Sequence, residues 1–160
     1  MAGDMAYDQS YFLFLSALLD RPALGPEGQR LGRVRDLSVR LRHVYPLVSG
    51  LVVSVSRAAR VAVPWEEVVE CGPAGFRLRT ADLRRFPPPS VTADEIPLRE
   101  AVLDKQVVDT AGAKVERVND LHLIRVNGQL RVAHVDIGAR GLIRKKSGRT
   151  GFQEQETRNA

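Results

Sequence analysis

With 160 residues, 44% of them apolar, the chain suits one ordinary domain or two small ones and carries enough apolar material for a real core. Its net charge of +5 permits contact with RNA, anionic lipid or an acidic protein surface and selects none of them. No apolar run approaches the ~20 residues of a membrane span, and a lone Cys71 excludes an internal disulfide.

Residues 1–10 are polar, and Tyr11–Leu15 reads as an aromatic-rich strand. Asp4 and Asp8 precede this apolar run where a signal peptide carries positive charge, so a cytoplasmic protein is expected. Gly25-Pro26-Glu27-Gly28 is a turn: proline fixes φ and glycine supplies a positive φ. Over Arg30–Leu41 the apolar positions change parity, from Val34 to Leu37, Val39 and Leu41. A period-2 pattern that changes phase predicts a bulge or sharp bend, here with Asp36 at the switch. Val48–Val55, Arg60–Val63, Glu67–Cys71 and Phe76–Thr80 read as short strands, the last two joined at Gly72-Pro73-Ala74-Gly75. Three consecutive prolines make Arg84–Ser90, with the polar run to Glu95, a stiff extended connection that either links two units or packs on a barrel surface. Val115–Val126 and Leu130–Ile137 flank Asn127-Gly128, a strong hairpin signal. A tight turn there pairs His122 with Ala133 and His134 with Leu121, which puts the two histidines on opposite faces. From Gly138 the chain runs through Leu142-Ile143 into a basic polar tail. Short strands, frequent turns and little helical periodicity predict an all-β fold.

The chain also repeats itself. Leu18–Leu37 returns, 84 positions on, as Val102–Leu121. Leu19, Asp20, Gly28, Arg33, Val34, Asp36 and Leu37 recur as Leu103, Asp104, Gly112, Arg117, Val118, Asp120 and Leu121. The parity change recurs too, from Val118 to Leu121 and Leu123 around Asp120. Self-similarity at one spacing marks a supersecondary unit used twice. The expected organisation is a first small barrel over 11–83, a proline-rich linker over 84–97, a second, shortened unit over 98–143 and a tail over 144–160. Nothing after Ile137 matches the later strands of the first copy, so the second unit should have an open sheet edge. Proteins cover such edges, and this one is expected to pack against the first unit, a second subunit in a homodimer, or a partner protein.

What recurs is a scaffold without a catalytic set. There is no HExxH, CxxC, P-loop or GxGxxG, and no catalytic, cofactor-binding or metal residue is expected. Cys71 reads as a strand residue or, alternatively, a reactive nucleophile. Asp36 and Asp120 either accept backbone hydrogen bonds at the strand bend or form a repeated carboxylate or docking site. Twenty of the 24 basic residues are arginine, a bias that base composition alone produces. Arg33 with Arg35 and Arg40 with Arg42 sit two apart, so each pair projects from one strand face. They line either a phosphate-gripping surface or an ordinary solvated exterior, and no aromatic interleaves them. Trp65 is a barrel-edge core residue or an exposed hot spot. Arg140 opens a second basic run that extends to Arg149. Arg33, Arg35, Arg40, Arg42, Trp65 and Arg140 are therefore the partner-binding candidates.

A turn glycine at Gly28, then Leu31–Val39 (LGRVRDLSV), Gly50–Val53 (GLVV) and Val63–Val68 (VPWEEV), resembles the PRC-barrel family. Its members are small β-barrels, shared by the cytoplasmic domain of the photosynthetic reaction-centre H subunit and the C-terminal domain of the ribosome maturation factor RimM. The second copy, through VDIGARGLIRK, is similar to the second of the tandem PRC-barrels that precede the helical N-terminal and CBS domains of bacterial MgtE-type magnesium transporters. The resemblance covers roughly residues 11–144 and implies a non-enzymatic adaptor that docks onto a protein, with a membrane-associated transporter or CBS-domain protein as partner. The sequence ends soon after Arg144, without the acidic magnesium-sensing cluster of those later domains. The alternative expectation is a ribosome-associated RNA maturation factor that binds through the basic face of residues 21–60.

Overall fold

A computed structural model describes residues 12–108 and 114–137. Its strands, in chain order, begin with β1 (Phe12–Phe14), followed by a one-turn helix α1 (Leu15–Leu18). Then come β2 (Pro22–Leu24), β3 (Arg30–Arg40), β4 (Leu47–Ser54), β5 (Arg60–Pro64), β6 (Val68–Gly72) and β7 (Gly75–Leu78). After β8 (Glu95–Pro97), a second short helix α2 (Leu98–Ala101) leads to β9 (Gln106–Val108), β10 (Val115–Val126) and β11 (Gln129–Ile137). The strands join in one curled, nearly closed sheet with the path β1-β10-β11-β4-β3-β2-β7-β6. β5 pairs with β4, β8 with β3 and β9 with β10.

The parity change has the expected cause. In β3 the register shifts between Val34 and Asp36, which turns Val34, Leu37 and Val39 all inward. In β10 it shifts between Val118 and Asp120, burying Val118, Leu121 and Leu123. Val34, Leu37, Val39, Leu121 and Leu123 join one apolar cluster with Leu15, Leu18, Leu51, Val53, Phe76, Leu78 and Leu130. One core therefore serves both copies of the repeat.

The local geometry recurs with the sequence. Asp20 (φ 61°) and Asp104 (φ 62°) both adopt the left-handed region, which aspartate tolerates better than most residues. Each backbone N–H then donates across to β3 or β10, Asp20 to the Val34 carbonyl at 2.7 Å and Asp104 to the Val118 carbonyl at 3.0 Å. The leading elements are exchanged. β1, which precedes the first copy, pairs with β10 of the second (Phe14 opposite His122), and β8, which precedes the second copy, pairs with β3 of the first (Pro97 opposite Ser38). β4 and β11 meet antiparallel at Leu47 and Arg131, positions that are themselves 84 apart. Such reciprocal pairing is the pattern of a two-fold contact.

Two expectations change on this frame, and a third takes the second of its two alternatives. Leu15 opens a helical turn rather than ending a strand, because a long-range acceptor, Asp120, satisfies the helix start. The proline-rich stretch packs on the sheet: Phe86 lies against the core, the Ala62 N–H donates to the Pro87 carbonyl at 2.8 Å, and 95–97 is strand β8. The hairpin at Asn127 (φ 50°) and Gly128 (φ 74°) has the tight turn expected of it, but the simple register holds only as far as Leu123 opposite Val132. An extra residue, Ala133, then shifts the pairing so that His122 faces His134. The histidines share a face, with ring centroids 5.5 Å apart. β4 carries the matching irregularity, between Ser38 and Val39 of its partner β3.

Candidate functional site

Asp36 is 6% exposed, the only buried charged residue among the described ones. Its Oδ1 accepts the N–H of Leu37 at 2.7 Å and of Arg99 at 2.7 Å, and its Oδ2 accepts the N–H of Glu100 at 3.0 Å. Arg99 and Glu100 are the second and third residues of α2, whose free N–H groups need an acceptor. Asp120 repeats the arrangement on α1, accepting from the N–H of Ser16 at 3.1 Å, from the Ser16 hydroxyl and from the N–H of Leu121 at 2.8 Å. Backbone acceptance is thus the role of both aspartates, and it reaches beyond the local bend to cap the helix donated by the other half. Burial pushes the Asp36 carboxyl above its ordinary pKa, against the three backbone donors and the charge of Arg99.

The arginine candidates divide. Arg35 pairs with Asp20 at 2.8 Å, and Arg99 reaches the same carboxylate at 3.3 Å. Burial works to raise the Asp20 pKa, but the hydrogen bonds and charges of Arg35 and Arg99 hold it below the usual value. Arg42 pairs with Asp94 at 2.6 Å. Arg33 and Arg40 point to solvent from β3. Trp65 lies half-buried against the core and donates its indole N–H to the Gly128 carbonyl at 3.1 Å, so it ties the first half to the hairpin of the second. Arg140 lies outside the described residues, as do 138–160 generally. Cys71 sits in β6, where burial pushes its thiol pKa up against the opposing charge of Arg125, whose guanidinium contacts the Cys71 carbonyl and Sγ. A thiol held protonated is a poor nucleophile.

The feature that individual sequence positions did not reveal is a difference in covering. On the outer face of the first half, β5 lies along β4 from Gly50 to Ser54. Phe86 and Pro87 close over it, leaving a depression of about 300 Å³ lined by Ser38, Arg40, Ser49, Pro64 and Glu95. Ser49 donates its hydroxyl hydrogen to Glu95 Oε1 at 2.6 Å inside it. The matching ground in the second half carries Phe12, Phe14, His122, Ile124 and His134. On the edge of β11 away from β10, no described strand pairs with it beyond the single bridge to β4. Phe12 is 69% and Phe14 49% exposed, and the Phe14 ring meets His122 edge-on at 4.6 Å. Val107 and Val108 of β9 are exposed as well, where β2 in the first half pairs with β7. The sequence signal for this edge is that nothing after Ile137 matches the later strands of the first copy.

Among the described residues no group of three or more His, Cys, Asp and Glu is placed to hold a metal ion, and no helix is long and apolar enough to cross a membrane. In comparisons with known proteins, no family model and no curated protein matches the chain.

Proposed function

We propose that the chain is a tandem pair of PRC-barrel-like units, the second shortened, which serves as a non-catalytic docking module. The observation that carries this reading is the edge of β11 that no described strand covers, beside an outer face with Phe12 and Phe14 exposed, set against the covered equivalent in the first half. Apolar surface beside an unpaired strand edge is what protein partners bind. The PRC-barrel resemblance directs the search for that partner to membrane-associated transport systems, including transporters and CBS-domain proteins, and to a cytoplasmic or peripheral inner-membrane setting. Ion pairing speaks against the RNA alternative: Arg35 and Arg42 in the basic 21–60 stretch each face a carboxylate, which lowers the charge available to phosphate.

Affinity capture of the tagged chain from its host, with and without nuclease, tests the reading. The expected result is a protein recovered regardless of nuclease and lost with Phe12→Asp, a change at an exposed position. Recovery of RNA and ribosomal proteins that disappears with nuclease or with moderate salt overturns it in favour of the maturation factor.

A further inference from the structure

We propose that the β11 edge left open among the described residues pairs with the same edge of a second copy of this chain, antiparallel, about a two-fold axis at Val135. This rests on the reading of that edge as the docking surface and adds its occupant and register.

The direction of the backbone groups comes from the first half. Ala62 of β5 gives its N–H to Pro87, away from β4, so it is Val61 and Val63 that hydrogen-bond to β4, opposite Val53 and Leu51. Leu51 and Val53 correspond to Val135 and Ile137 at the repeat spacing. The Val132 N–H already points to this side, donating to the Pro46 carbonyl at 2.9 Å. With the extra residue Ala133 between them, Val135 and Ile137 resume the same outward direction. Val135 is therefore a position whose N–H and C=O face the open edge, as a residue on a two-fold axis of paired strands must.

Charge fits that register. With Val135 opposite its own copy, His134 faces Asp136 of the second molecule, and Asp136 faces the second His134. Residues directly opposite share a sheet face, and in this frame the His134–Asp136 position is a non-hydrogen-bonded pair, where side chains come closest. Both side chains lie on the outer face, His134 beside His122 and Asp136 beside Asp120. Shifting the axis by one residue in either direction would set His134 against a second His134, or Asp136 against a second Asp136. The edge is thus self-complementary in one register only. Ile137, 46% exposed, falls opposite Ala133 and gains apolar cover.

Sedimentation velocity over a roughly hundred-fold range of concentration tests this. The wild-type chain should show a concentration-dependent dimer. His134→Asp should weaken it about ten-fold, because Asp would then face Asp136. The double exchange His134→Asp with Asp136→His should restore it to within about three-fold, since opposite charges face each other again. Circular dichroism confirms that each variant folds, and amide exchange at Val135 and Ile137 should slow as concentration rises. A monomer at every concentration, or a double variant no better than His134→Asp, overturns the proposal. The docking reading stands or falls separately, on whether the captured protein depends on Phe12.

Discussion

The two halves share a frame and differ in what lies outside it, and the clearest place to see this is one pair of equivalent positions. Gly50 in the first half and His134 in the second occupy the same place on the second strand of the repeat, just past the same irregularity. A Cβ at Gly50 would stand 2.6 Å from the Val63 carbonyl oxygen of β5, so the covered half needs glycine. His134 is exposed with a full imidazole. The residue type thus reports whether a strand crosses outside. The aspartate caps differ in the same sense: Asp36 is buried, whereas Asp120 remains partly open to water. Among the described residues, one scaffold is covered in the first half and left open in the second.

Removing the caps should separate the halves most. Asp36→Ala strands three N–H donors in a dry site, and a loss of about 3 kcal/mol is expected in urea unfolding. Asp120→Ala should cost about 1 kcal/mol, since water reaches the freed groups. Equal losses would mean that burial does not distinguish the two caps. Next in size is Gly50→Ala, expected to cost about 2 kcal/mol as the backbone of β5 is pushed away. The matching change His134→Ala should stay within about 0.5 kcal/mol. A tolerated Gly50→Ala would show that β5 yields easily and that the two outer faces are less different than they look.

Much of this frame was legible in the sequence. The parity switch at Val34 and Leu37 encoded the bend directly, because burial alternates with period 2 and a single extra residue resets it. The repeat located both aspartates, and Asn127-Gly128 fixed the hairpin turn. Three things were not legible, and each depends on partners distant in sequence. The extra residue at Ala133 carries no signature of its own, and without it the hairpin register sets the histidines on opposite faces. The crossing of β1 to β10 and of β8 to β3 joins segments about 60 to 110 residues apart, which no local pattern encodes. The sequence around Trp65 fits both a hot spot and a core edge, because its partner, the Gly128 carbonyl, lies across the fold.

Trp65→Phe sharpens the comparison at that seam. It keeps the ring against the core and removes only the indole donor, so a loss of about 0.5–1 kcal/mol is expected. Amide exchange should quicken around Asn127 and Gly128 while the first half stays as protected as before. Uniform quickening would mean that the two halves open together and that the bond is not a local tie.

The smallest effect should come from Asp20, and its pH dependence has a definite sign. Asp20→Asn retains a residue at home in the left-handed region and removes only the charge facing Arg35 and Arg99. Their hydrogen bonds and charges hold the Asp20 pKa below the ordinary carboxylate value despite partial burial. Its stabilising contribution is therefore present above the unfolded pKa and is lost as pH falls through the lower folded one. Because the pair is largely open to solvent, the wild-type advantage over Asp20→Asn at neutral pH should be about 0.5 kcal/mol and should shrink with salt. Asp36 works in the opposite direction. Burial raises its pKa, so the protonation-dependent part of its contribution is present below the unfolded value and is lost as pH rises through the folded one, while the bonds it accepts from backbone N–H groups persist in the ionised form. Stability curves of wild type and Asp20→Asn, measured against pH, should converge in acid and separate towards neutrality. Curves that instead run parallel would assign the Asp20 contribution to its backbone conformation, shared with Asp104, and remove the ion pair as a difference between the two halves.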